Sequence, residues 1–111
     1  QHEYAKEQYF DRAVLLLSRT GVDVLGRSEA LQQAVWSRAV QYGPRNMQEL
    51  FHDAADIADK SVTVMSDADL IYYIYEVNLT DPEWTAGSPS LRHGLFARFE
   101  SERQEALAML A

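Results

Sequence analysis

Glu29-Ala-Leu-Gln-Gln-Ala-Val-Trp-Ser-Arg-Ala-Val-Gln-Tyr-Gly-Pro44 is the stretch on which the reading of the fold turns. Leu31, Ala34, Val35, Ala39 and Tyr42 recur at three- and four-residue steps, the period of an α-helix, while Trp36 and Val40 occupy another face. Apolar surface that runs much of the way round a helix marks one packed on several sides, so the pattern predicts a central helix over 29–42. Its ends are equally readable. Ser28 supplies an oxygen for the free amides of the first turn, and Gly43-Pro44 stops the helix, because glycine suits a left-handed cap and proline cannot continue the ladder.

Outward from that segment the same period recurs. Tyr9, Phe10, Ala13, Val14, Leu16 and Leu17 predict an amphipathic helix over 4–19, closed by Gly21, with a loop over 21–26. Met47, Leu50, Phe51, Ala54, Ala55 and Ala58 predict a third helix from about Asn46 to Lys60. Residues 61–65 read as an extended link. Ser66 with Asp69 three positions on is a capping-box-like start for the Leu70, Ile71, Ile74, Tyr75 stripe of a fourth helix. Asn78 to Ser90 holds Asp81-Pro82, Gly87 and Ser88-Pro89 and reads as the longest irregular stretch. Leu91, Leu95, Phe96, Phe99, Ala106, Leu107 and Leu110 then mark the longest helix. The fold class expected is all-α, about five helices in a single helical domain over residues 1–111, with no internal repeat.

Composition bounds the function. With 17 acidic against 10 basic side chains the chain carries a formal charge of −7, which disfavours a phosphate backbone as partner; nucleic acid is not expected. The absence of cysteine removes disulfides, thiolate-held zinc and a thiol nucleophile. The longest apolar run, Ala13 to Leu17, is far shorter than the roughly 20 residues of a membrane span. Because the chain opens Gln-His-Glu rather than with Met, and already reads as helix there, it is expected to be cut from something longer.

Few residues suggest chemistry by themselves. His2, His52 and His93 form no metal-binding pair, no Gly-x-Ser-x-Gly elbow or phosphate loop is present, and neither metal nor cofactor is expected. Among the acids, Asp67 and Asp69 suit a helix N-terminus, and Glu100, Glu102 and Glu105 read as a solvated face. Glu76 stands out, since it follows Tyr72-Tyr-Ile-Tyr75 at the helix end nearest the irregular stretch. Trp36, Tyr42, Tyr72, Tyr73, Tyr75 and Trp84 fit a carbohydrate groove and fit a helical core equally well.

Ala34-Val-Trp-Ser-Arg-Ala-Val-Gln-Tyr-Gly-Pro44, preceded by Arg27-Ser-Glu-Ala-Leu-Gln32, resembles a motif of lysozyme-like peptidoglycan hydrolase domains. These occur in phage tail proteins and type VI secretion effectors, including C-terminal extensions of spike proteins. Gln1-His-Glu-Tyr-Ala-Lys-Glu-Gln-Tyr-Phe-Asp11 resembles the helix upstream of that motif, and Arg98-Phe-Glu-Ser-Glu102 with Ala106-Leu-Ala-Met-Leu110 resembles the closing helix, so the likeness covers nearly the whole chain. More distantly, Gln41-Tyr-Gly-Pro44 is similar to the His-Gly-Pro turn of the chitosanase branch of the lysozyme superfamily.

The resemblance implies the C-terminal helical lobe of a larger muramidase-like domain, whose catalytic glutamate lies upstream, so that no catalytic residue is expected here and the chain alone is expected to be inactive. It implies a secreted antibacterial effector acting in the periplasm of a target bacterium. The implied partners are peptidoglycan glycan strands, the upstream lobe and a cognate immunity protein. Ser37, Gln41, Tyr42 and Glu76 would stand nearest the glycan. One departure concerns the fourth helix, where such domains often carry an acid and an arginine two residues apart. Glu76-Val-Asn78 lacks the arginine, which leaves Glu76 to accept a hydrogen bond from a sugar hydroxyl. The alternatives are a noncatalytic helical interaction module and a chitosanase-like lobe.

Overall fold

The computed structural model describes residues 2–81, Trp84 and residues 92–110. Among them are five α-helices and no strand: α1 His2–Ser18, α2 Glu29–Tyr42, α3 Met47–Ala58, α4 Asp67–Thr80 and α5 Arg92–Met109. The all-α expectation holds. α2 touches each of the other four helices, the position its broad apolar surface requires. Its caps are those of the sequence: Ser28 Oγ accepts from the Leu31 amide, and Gly43 leaves the helix at φ +92°, a value that glycine reaches without strain. Ser66 Oγ accepts from the Asp69 amide and starts α4 in the same way.

The connections are tighter than loops. Short 3-10 turns occupy Val24–Gly26, Pro44–Asn46 and Val62–Val64, and Val22, Val24 and Met65 from these links are buried in the core. That burial explains why a stretch with turn residues folds back rather than wandering over the surface. Asp67 ties two helix starts together, accepting from the Ser28 amide at 2.9 Å and from Arg27 Nη1 at 2.8 Å. Burial alone raises the pKa of this carboxyl, but the hydrogen bonds from Arg27 and Ser28 outweigh it and hold the value below the ordinary one.

α4 runs through Asn78 to Thr80, three residues into the stretch read as irregular. Val77 and Asn78 are fully buried, and Thr80 Oγ1 donates to the Glu76 carbonyl, so packing extends the helix past the point where turn residues begin. The remainder of that stretch, apart from Asp81 and Trp84, lies outside the described residues, as do the side chains of His2, His93, Leu91 and Leu95. One apolar cluster joins all five helices, with Leu17, Leu31, Val35, Leu50, Phe51, Ile71, Ile74 and Phe99 fully buried.

Candidate functional site

The core-facing stripe of α2 contains a cation. Arg38 lies four residues after Ala34 and three after Val35, which puts it on the apolar face, and only 1% of it is exposed. Its guanidinium carbon sits 4.3 Å from the centre of the Phe99 ring and 4.7 Å from that of Tyr75. Nη1 donates to Asn78 Oδ1 at 2.9 Å, and Nη2 donates to Ser37 Oγ at 3.0 Å and to Glu102 Oε1 at 3.1 Å. A buried charge is tolerated only when paired and hydrogen-bonded, and Glu102 of α5 supplies the counter-charge. Among the described residues Arg38 Nε and Asn78 Nδ2 have no hydrogen-bond partner.

Glu102 is the hub of this cluster. Its Oε1 also accepts from the Ser37 hydroxyl at 2.7 Å and the Tyr75 hydroxyl at 3.1 Å, while Oε2 lies 3.7 Å from Arg98 Nε. Burial and the neighbouring carboxylate, against the opposing pull of Arg38, push the Tyr75 phenol up to about 12, so it stays a donor. Of the solvated face expected of Glu100, Glu102 and Glu105, Glu105 is exposed as expected, whereas Glu102 turns one oxygen to the buried arginine and Glu100 pairs with Arg103. The signal within the sequence was Arg38 itself, on the period of the core stripe. Its partner 64 residues away has no local signature.

Ser37 and Glu102 line two adjoining cavities between α2 and α5. One, of about 260 Å³, is bounded further by Gln33, Tyr75, Glu105 and Met109. The other, of about 310 Å³, is bounded by Trp36, Val40, Gln41 and Arg98. Together they form a groove whose floor is the Ser37–Glu102 hydrogen bond. Ser37 and Gln41 are thus brought together, Gln41 Oε1 accepting from Arg98 Nη2 at 2.8 Å.

Tyr42 and Glu76 do not line this groove. The Tyr42 ring stands edge-on to Trp84, with centres 5.0 Å apart, over a separate cavity of about 220 Å³ shared with Asn46 and Glu49. Burial raises its pKa, against the pull of Arg38 and Arg98. Glu76 has an ionic partner after all. Arg103 of α5 donates from Nη1 to Glu76 Oε1 at 2.8 Å, binds Glu100 through Nη2 and lies 4.5 Å over the Tyr72 ring. The arginine missing two residues after Glu76 is supplied across the helix interface. Burial works against the charge on Arg103, but its hydrogen bonds to Glu76 and Glu100 outweigh that and raise its pKa.

Among the described residues no group of His, Cys, Asp or Glu side chains is disposed to hold a metal, and no helix is long and apolar enough to cross a membrane. A family model described as type VI secretion system spike protein VgrG3-like, C-terminal, matches residues 1–103. The chain belongs to this family. No curated protein and no solved structure matches it. The VgrG3-like match takes in Ser37, Arg38, Tyr75 and Glu102, and hence the whole polar cluster between α2 and α5. Membership ties the chain to type VI secretion and to a protein that this system exports.

Proposed function

We propose that this VgrG3-like chain is the C-terminal helical lobe of a muramidase-like glycoside hydrolase that cuts the glycan strands of bacterial cell wall. The observation that carries the reading is the α2–α5 groove, with a carboxylate fixed in its floor. Sugars are held by groups that accept and donate in turn beside an apolar ring face. Glu102 Oε2 accepts, the Gln41 amide and Arg98 donate, and Trp36 borders the same cavity.

Cleavage of a glycosidic bond takes a protonated acid and a second carboxyl roughly 5–9.5 Å apart across the sugar. With Oε1 already accepting three hydrogen bonds, Glu102 is placed to hold a hydroxyl rather than to deliver a proton. Glu76 is occupied by Arg103. The general acid is accordingly a glutamate of an upstream lobe, as the resemblance to lysozyme-like domains implies, and the glycan is clasped between the two lobes. The setting is the periplasm of a target bacterium, and a cognate immunity protein that plugs the groove protects the producer.

Clearing of a cell-wall suspension tests the reading. The spike protein carrying this lobe and its upstream residues clears the suspension, and the 111-residue chain alone does not. Silence from both sinks the proposal, and clearing of chitosan in place of cell wall moves it to the chitosanase branch. A second reading is a noncatalytic interaction module. Among the described residues the exposed large apolar side chains are Tyr9 and Leu15 of α1, Leu25, Ile57, Val64, Tyr72 and Met109, spread over several elements. A lobe separated from its partner binds an apolar dye; an independent module is dye-silent.

A further inference from the structure

The groove does not end at Trp36. On the other flank of α2 the Phe10 ring of α1 lies against the Trp36 ring, centres 5.4 Å apart and planes inclined by 33°, a tilted aromatic pair. The pair lines a cavity of about 480 Å³ together with Glu29, Gln32 and Gln33. That volume falls within the ~300–1,000 Å³ of small-molecule sites. Trp36 also borders the α2–α5 groove, and Gln33 borders its neighbouring cavity, so the three hollows share walls. From Glu29 to Ser37 the surface of α2 runs about 12 Å at 1.5 Å per residue, enough for a run of sugar rings rather than one.

We propose that the cavity lined by the Phe10–Trp36 pair, with Gln33 and Glu29 beside it, is a second saccharide subsite that extends the groove across α2; this rests on the reading of that groove as a glycan site. Of its polar side chains Gln32 is engaged, donating to the Arg27 carbonyl at 3.1 Å, and the others are uncommitted. Glu29, Gln33 and the Trp36 indole make no side-chain hydrogen bond or ion pair among the described residues, whereas the indole of Trp84 donates to Asp53 at 3.3 Å. A ring face with free amide, carboxylate and indole N–H groups around it matches a pyranose, which is apolar on its C–H face and hydroxylated at its edge. An aliphatic side chain of a partner protein laid on these rings would strand those polar groups. A nucleotide would meet Glu29 and a chain of formal charge −7.

Calorimetric titration with β-1,4-linked N-acetylglucosamine oligomers, from di- to hexasaccharide, tests the subsite. Affinity rises with oligomer length in the native chain. Phe10→Ala and Glu29→Ala, at positions that line this cavity and neither groove cavity, each weaken the hexasaccharide by about tenfold (about 1.4 kcal/mol) and flatten the length dependence, while Phe10→Tyr, which keeps a ring, stays near native. The Trp36 indole N–H resonance moves on binding. Ser37→Ala reports on the α2–α5 groove separately. Weakening by Ser37→Ala with Phe10→Ala and Glu29→Ala both within twofold of native overturns the subsite and leaves the groove. Weakening by Phe10→Ala and Glu29→Ala alone supports the subsite and removes the groove. No binding at any length overturns both. A thermal melt by circular dichroism confirms that each variant folds; should Phe10→Ala unfold, Glu29→Ala decides.

Discussion

Arg38 on α2 and Glu102 on α5 meet at 3.1 Å across a separation of 64 residues, the arginine sealed under the rings of Phe99 and Tyr75. The pair joins the two walls of the groove, so the same contact that holds α5 in place fixes the carboxylate that faces solvent.

Removing the acid strands the cation. Glu102→Ala is expected to destabilise by about 3 kcal/mol, because an unpaired buried charge is left behind, whereas Arg38→Met, which keeps much of the volume and removes the charge, costs about 1–2 kcal/mol. The double variant falls short of the sum by about 1–2 kcal/mol, measured by urea unfolding. Strict additivity would mean that the two side chains are not coupled.

Alkaline stability reports on Tyr75. Its phenol is raised to about 12 in the fold by burial and by the hydrogen bond to Glu102, above the ordinary value of 10.0. Folding therefore favours the protonated form. This contribution is fully present below pH 10 and is lost as pH climbs toward about 12. Tyr75→Phe is expected to lower the melting temperature at neutral pH, through loss of a hydrogen bond to a carboxylate worth about 1.5–3 kcal/mol, and to flatten the alkaline fall. An unchanged alkaline limb in the variant would contradict the assignment.

Acid stability reports on Asp67. Its pKa is lowered in the fold, so folding favours the ionised form, and its contribution is present above the unfolded value near 3.9 and disappears as pH drops below it. Asp67→Asn keeps an acceptor for the Ser28 amide but loses the ion pair with Arg27. Its melting temperature is expected to fall less steeply than that of the native chain on acidification below about pH 4.

The helices were legible because their information is local. Leu31, Ala34, Val35 and Tyr42 declare a helix face, and Ser28, Gly43 and Ser66 declare its ends, within a few residues of one another. The extension of α4 to Thr80 was not legible, because Asn78 is held by Arg38 from another helix. The site divides along the same line. Ser37 and Gln41 share one face of α2 and do share the groove, whereas Glu76 is turned to account by Arg103 and Glu102 is drawn inward by Arg38, both pairings made across helix interfaces.

Glu76 and Glu102 should accordingly separate in function. Glu76→Gln is expected to leave oligosaccharide binding within about twofold, since its carboxylate is engaged by Arg103 away from the groove. Glu102→Gln, which keeps the shape and an acceptor but loses the charge, is expected to weaken binding by about tenfold. The reverse order in a calorimetric titration would move the glycan to the α4–α5 side.

Co-sedimentation of the native 111-residue chain with purified cell-wall sacculi decides whether the α2–α5 groove holds cell-wall glycan. A lobe built to hold the glycan strand pellets with the sacculi without solubilising them, and the Ser37→Ala and Glu102→Gln variants remain largely in the supernatant. A native chain that stays in the supernatant, or variants that pellet as fully as it does, would contradict the assignment of the α2–α5 groove to cell-wall glycan.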